Sequence, residues 1–134
     1  MDQFKLGLQG HIKITSSKDN QILLDEHNEI NPSSLEIITR CLTQVDFPKA
    51  IDKIKAFGNF GEIERDIFYA SYSGKQNTML FRATFLEFDF EGTITKLELK
   101  CSALNKIFAS KQNINIFKDG QSRTQIDWII QVTN

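Results

Sequence analysis

A chain of 134 residues is one domain's worth of sequence, and 40% apolar with 25% charged side chains is the composition of a folded globular protein rather than a disordered tail. A formal net charge of −1 removes the electrostatic case for a nucleic-acid or anionic-membrane partner. No apolar run is long enough to span a bilayer and the opening MDQFKLGLQG lacks the apolar core of a secretory signal, so a cytoplasmic origin is expected.

In chain order, Gly10 to Thr15 reads as a first strand, with Ile12 and Ile14 on one face and His11 and Lys13 on the other. The polar cluster Ser16 to Asn20 is a turn, and Gln21 to Glu26 returns as a second strand. From Asn31 the apolar period changes to that of a helix. Asn31 before Pro32 fits an N-cap and a first helical residue, Ser33 and Glu36 have capping-box spacing, and which residue caps stays open. Leu35, Ile38, Leu42 and Val45, with Ile37 and Cys41, form one apolar stripe, and Phe47-Pro48 ends the helix.

Ala50 to Phe57 reads as a strand leading into the turn Gly58-Asn59-Phe60-Gly61. Glu62 to Thr78 reads as a long loop with a short edge strand around Ile67 to Tyr72. Leu80 to Phe90 is a long strand whose apolar parity shifts between Phe85 and Leu86, the signature of a β-bulge or of burial on both faces. After a turn at Glu91-Gly92, Thr93 to Ser102 returns with Leu97, Leu99 and Cys101 on one face. A loop follows, then a short strand over Ile114 to Phe117, a turn at Lys118-Asp119-Gly120, and a last strand over Gln125 to Thr133. In that strand Ile126, Trp128, Ile130 and Val132 alternate cleanly, as in a half-buried strand. The sum is a mainly β fold: one domain over residues 1–134, an antiparallel β-sandwich of about seven strands with one α-helix inserted near the N-terminus.

Reactive constellations are sparse. Cys41 and Cys101 lack CxxC spacing and read as two buried free thiols. His11 and His27 have no nucleophile-elbow pattern beside them and read as surface residues of the hairpin. His27 beside Asp25 and Glu26 is a weak metal signal, because consecutive acids on a strand point to opposite faces. Gly58-Asn59-Phe60-Gly61 lacks the lysine and serine of a phosphate-cradling loop, and Asp89 and Glu91 sit beside a turn where charges are solvated. The expectation is therefore no catalytic, cofactor or metal residue, and no enzyme. Most phenylalanines occupy core positions; Phe60, Phe68, Tyr69 and Tyr72 fall in the irregular stretch, where exposed aromatics mark a protein interface or a sugar-stacking site.

The succession of motifs resembles small virion structural proteins of tailed bacteriophages. It comprises Gly10-His11-Ile12-Lys13-Ile14, then Leu23-Leu24-Asp25-Glu26-His27-Asn28-Glu29-Ile30, the apolar helix from Leu35 to Leu42, and Ala56-Phe57-Gly58-Asn59-Phe60-Gly61. The glycine-turned unit Gly92 to Leu99 and the closing Ile126-Asp127-Trp128-Ile129-Ile130 complete it, and Phe60 stands where a second glycine is usual. The resemblance implies a non-enzymatic neck, tail or capsid-surface subunit. Its partners would be copies of itself, in a homo-oligomer, and other virion proteins, without nucleic acid, membrane or cofactor. Its location would be the virion, and the host cytoplasm during assembly. The interface candidates are Phe60, Phe68, Tyr69, Tyr72, Phe4 and Leu6, with residues 62–78 and 1–10 ordering against neighbouring subunits. The alternative is a carbohydrate- or receptor-binding β-sandwich module, which needs exposed aromatics on one face or loop.

Overall fold

Alternating apolar side chains draw the chain into ten strands and one α-helix in the structure, a computed structural model that describes residues 6–43 and 50–133. The first strands are β1 (Gly7–Ser16) and β2 (Ile22–Ile30), followed by α1 (Ser34–Thr43). Then come β3 (Lys53–Gly58), β4 (Gly61–Asp66), β5 (Tyr69–Ser73) and β6 (Thr78–Phe85). The chain finishes with β7 (Gly92–Cys101), β8 (Lys106–Lys111), β9 (Ile116–Lys118) and β10 (Thr124–Thr133). Phe4, Val45, Phe47 and Pro48 of the sequence reading lie outside the described residues.

The strands form one curled antiparallel sheet, a half-barrel with more strands than the seven expected and without two clearly separate sandwich layers. Its order is β4-β3-β7-β8-β2-β1-β10-β6-β5. β3 takes one edge of β7, while β8 and β9 share the other, β9 pairing at Gly92 to Ile94 and β8 at Leu97 to Cys101. The two halves join where the end of β2 leaves β1 and pairs with β8 through Glu29↔Ser110 and Ile30↔Ala109. At the far corner the ends of the sheet approach each other. The two-residue link from β4 to β5 donates Ile67 N–H to the Asp52 carbonyl (2.8 Å) on one side and Phe68 N–H to the Arg82 carbonyl (3.1 Å) on the other.

The concave face holds the core. Ile12 and Ile14 of β1, Ile126, Trp128 and Ile130 of β10, Ala83 and Phe85 of β6, and Leu97, Leu99 and Cys101 of β7 are all fully buried. A period of two puts each set on one face, and burial of roughly 1.5–3 kcal/mol per large side chain drives the curl that brings them together.

Several expectations change on contact with the fold. Residues 62–78 are not a long loop but β4, β5 and the start of β6, and Gly7 to Gly10 belong to β1, so these segments are ordered within the chain itself. The parity shift at Leu86 is neither a bulge nor two-sided burial. β6 ends at Phe85, and a tight turn follows in which the Leu86 N–H donates to Asp89 Oδ2 (2.7 Å). β8 occupies a stretch whose sequence reads as loop, because KIFASK mixes charged and apolar residues without clean alternation. At the start of α1 the expected capping residues fasten the helix to β8 instead: Asn31 N–H donates to the Phe108 carbonyl (2.9 Å), Ser110 Oγ donates to Asn31 Oδ1 (3.1 Å), and Ser33 Oγ donates to the Ile107 carbonyl. In the Gly58-Asn59-Phe60-Gly61 hairpin the positive φ falls on Gly61 (98°) and not on Phe60, so the phenylalanine is tolerated there.

Candidate functional site

The half-barrel's concave face is wider than one short helix can cover. α1 buries Ile37 against the core, while Leu35 and Leu42 stand 68% and 82% exposed. What remains is an apolar groove of about 420 Å³, walled by Leu35, Ile38 and Leu42 of α1 on one side and by Leu8, Phe81 and Val132 of the sheet on the other. Leu6, one of the expected interface residues, is exposed and lines the same groove. Cys41 also lines it and is exposed rather than buried, unlike Cys101. Partial desolvation raises the Cys41 pKa, with Cys101 adding to the effect, which holds it as a thiol rather than a reactive thiolate.

The two free edges of the sheet differ in chemistry. β4 carries Glu62, Glu64, Arg65 and Asp66, and charge on an edge strand discourages strand addition. Arg65 forms a two-pronged pair with Asp89, and Lys55, Lys53 and Lys100 pair with Glu62, Asp66 and Glu64. β5 reads Tyr-Ala-Ser-Tyr-Ser, with no charge and no proline, and among the described residues it pairs with β6 alone. Tyr69 and Tyr72 are three residues apart on a strand, so they lie on opposite faces. Tyr69 covers Arg82 on the convex face, 5.3 Å from guanidinium carbon to ring centroid, where Arg82 Nε also donates to Asp127 Oδ1 (2.7 Å). Tyr72 sits on the concave side opposite Met79, which lines the groove, and is 83% exposed. Phe68, at the corner before β5, is exposed as well.

Phe60 belongs elsewhere. Its ring stacks on Phe90 (centroids 3.8 Å apart, 15° between planes), and Phe90 meets Phe85 edge-on, so Phe60 extends the core at the β3–β4 turn. Sequence reasoning missed Phe88, which is 95% exposed on the β6–β7 connection. That connection is tightly held. The fully buried Lys118 Nζ donates to the carbonyls of Glu87 (3.1 Å), Phe90 (3.0 Å) and Asp119 (3.0 Å), and Arg123 pairs with Glu87 (2.6 Å). Burial pushes the Lys118 pKa down, and the acids around it, Asp89 first, push the other way.

The hairpin places His11 opposite His27 and joins His11 to Asp25 by a hydrogen bond on the convex face, with the two imidazoles edge-to-face at 5.1 Å. The hydrogen bond from His11 lowers the Asp25 pKa against a small desolvation effect. Asp25 and His27 do share a face, a juxtaposition legible from the hairpin parity, while Glu26 points away. Among the described residues no group of three His, Cys, Asp or Glu side chains is placed to hold a metal ion, and no helix is long and apolar enough to cross a membrane. Trp128 is fully buried, and Tyr69 and Tyr72 face opposite ways, so these rings do not make one flat platform for a sugar. No family model, no curated protein and no solved structure matches the chain.

Proposed function

We propose that this chain is a non-enzymatic assembly subunit, a structural component of a tailed-phage virion in the neck, tail or capsid surface, that acts through protein–protein contacts. The observation that carries this reading is the β5 edge: five uncharged residues that pair among the described residues on one side only, with Tyr69 and Tyr72 exposed within the strand and Phe68 exposed just before it. An undefended edge strand is a liability for a free monomer and an asset for a subunit that adds strands or faces to a neighbour. The apolar groove and the exposed Phe88 at the other end of β6 add surface of the same character. The resemblance in motif order supplies the virion context.

The test is the solution mass of the purified chain by light scattering over a concentration series, with a glycan array run on the same preparation. A discrete multimer without glycan binding is expected. A strict monomer that binds glycans overturns the assembly reading in favour of a carbohydrate-recognition module.

A further inference from the structure

We infer that two copies of this chain pair edge to edge through β5, antiparallel about a twofold axis that passes beside Ser71. The inference rests on the assembly reading and specifies the partner and the register of that same edge.

In a twofold contact each residue meets its own surface, so any uncompensated charge near the axis faces a like charge. β5 has none across Tyr69–Ser73, whereas β4 carries Glu62, Glu64, Arg65 and Asp66, already tied to Lys55, Lys100, Asp89 and Lys53, and a second copy laid along that edge would crowd these pairs. Charge therefore selects β5 over β4 as the self-complementary edge. The extent of the strand then selects the register. With Ser71 opposite Ser71 of the second copy, Tyr72 lies across from Ala70, Tyr69 across from Ser73, and Phe68 across from Gly74. Every large ring meets a small residue on its own face of the sheet. Moving the axis to Ala70 sets Phe68 against Tyr72, and moving it to Tyr72 sets the two tyrosines against each other. Only the axis at Ser71, the middle residue of Tyr69–Ser73, pairs all of β5 with all of its copy; moving it one residue either way leaves two strand residues of each copy opposite positions outside the strand. The paired edges would extend the convex face, with Tyr69 and Arg82, and the concave face, with Tyr72 and Met79, continuously across both copies.

The experiment is a Ser71→Cys substitution in the full chain carrying Cys41→Ser, since Cys41 is exposed and Cys101 is buried. Residues directly opposite in an antiparallel pair have Cα atoms about 4.5–5.5 Å apart, within disulfide reach. Mild oxidation is expected to link most of the protein as a dimer through position 71. The same treatment of Ser73→Cys links none, because the two copies of position 73 lie four residues out of register, roughly 13 Å apart. Ser71→Lys, checked for fold by circular dichroism, is expected to weaken dimerisation by about tenfold or more. A multimer by light scattering that forms no link at position 71 overturns the twofold pairing and leaves the assembly reading standing. A strict monomer at every concentration overturns the twofold pairing, and glycan binding by that monomer overturns the assembly reading as well.

Discussion

Replacing Lys118 by methionine tests whether the β6–β7 connection is held by one buried cation. The lysine is 1% exposed, and its Nζ donates to three carbonyls at 3.0–3.1 Å, those of Glu87, Phe90 and Asp119. Methionine keeps the length and apolar stem of the side chain and removes all three donors. A hydrogen bond from a charged donor contributes about 1.5–3 kcal/mol, and burial of the ammonium offsets part of the total. Three such bonds lost, with partial rehydration of the carbonyls at the surface turn, place the net loss near 3 kcal/mol. Urea unfolding followed through Trp128, the single tryptophan, is the assay. At a slope of about 1.5–2 kcal/mol/M the midpoint falls by roughly 1.5–2 M with the slope unchanged. Hydrogen exchange should accelerate locally at the Leu86 and Asp89 amides, which close the turn onto Asp89 Oδ2 and the Leu86 carbonyl. A loss below about 1 kcal/mol, or exchange that quickens across the whole sheet instead of the turn, refutes the cation as the organiser of this connection.

Three further perturbations follow from the same structure. Stability should fall in acid. Burial raises the Asp89 pKa but Arg65 and the Leu86 amide outweigh it, while Lys100 and Arg123 lower Glu64 and Glu87. A carboxylate whose folded pKa is depressed stabilises fully above its unfolded value, about 4, and loses that contribution as pH falls through the folded value. Melting curves from pH 6 to 2 should show the decline, and Asp89→Asn should weaken it; a flat profile in wild type contradicts the pairing. Trp128→Ala, which empties a fully buried site between Ile12 and Phe81 on neighbouring strands, should destabilise by about 3–5 kcal/mol in chemical denaturation, and a loss under 1.5 kcal/mol would mean the core collapses around it. Gly58→Ala should cost about 2–3 kcal/mol, since a Cβ there strikes the backbone carbonyl of Thr93, whereas the atoms nearest a Cβ at Gly10 belong to the Asn28 side chain, so Gly10→Ala should cost less; equal melting temperatures for the two variants would refute the distinction.

The alternation of apolar residues was enough to place β1, β7 and β10 and to name their inner faces, because a period of two is a local property of the backbone, whereas β6, expected to run to Phe90, stops at Phe85. Ile12 with Ile14, Leu97 with Leu99 and Cys101, and Ile126 with Trp128 and Ile130 are all buried as their spacing requires. The helix was equally legible, but its stripe of Leu35, Ile38 and Leu42 turned out to wall a groove instead of filling the core, and Ile37 took the buried position. Which residue of a stripe is buried depends on the surface it meets, and that surface comes from strands far away in the chain.

The strand count, the curl and the edges were decided only by tertiary pairing. β1 meets β10 from the opposite end of the chain, and two residue pairs between β2 and β8 join the halves of the sheet. Neither partnership leaves a mark within a local window of sequence. The same holds for Lys118, which reads as a turn residue until three carbonyls converge on it, and for Phe88, whose exposure depends on β6 stopping at Phe85. By itself the sequence determined a β-rich domain with these inner faces and an uncharged run from Tyr69 to Ser73. The tertiary structure made that run an open edge, because backbone hydrogen bonds are local in space and not in sequence.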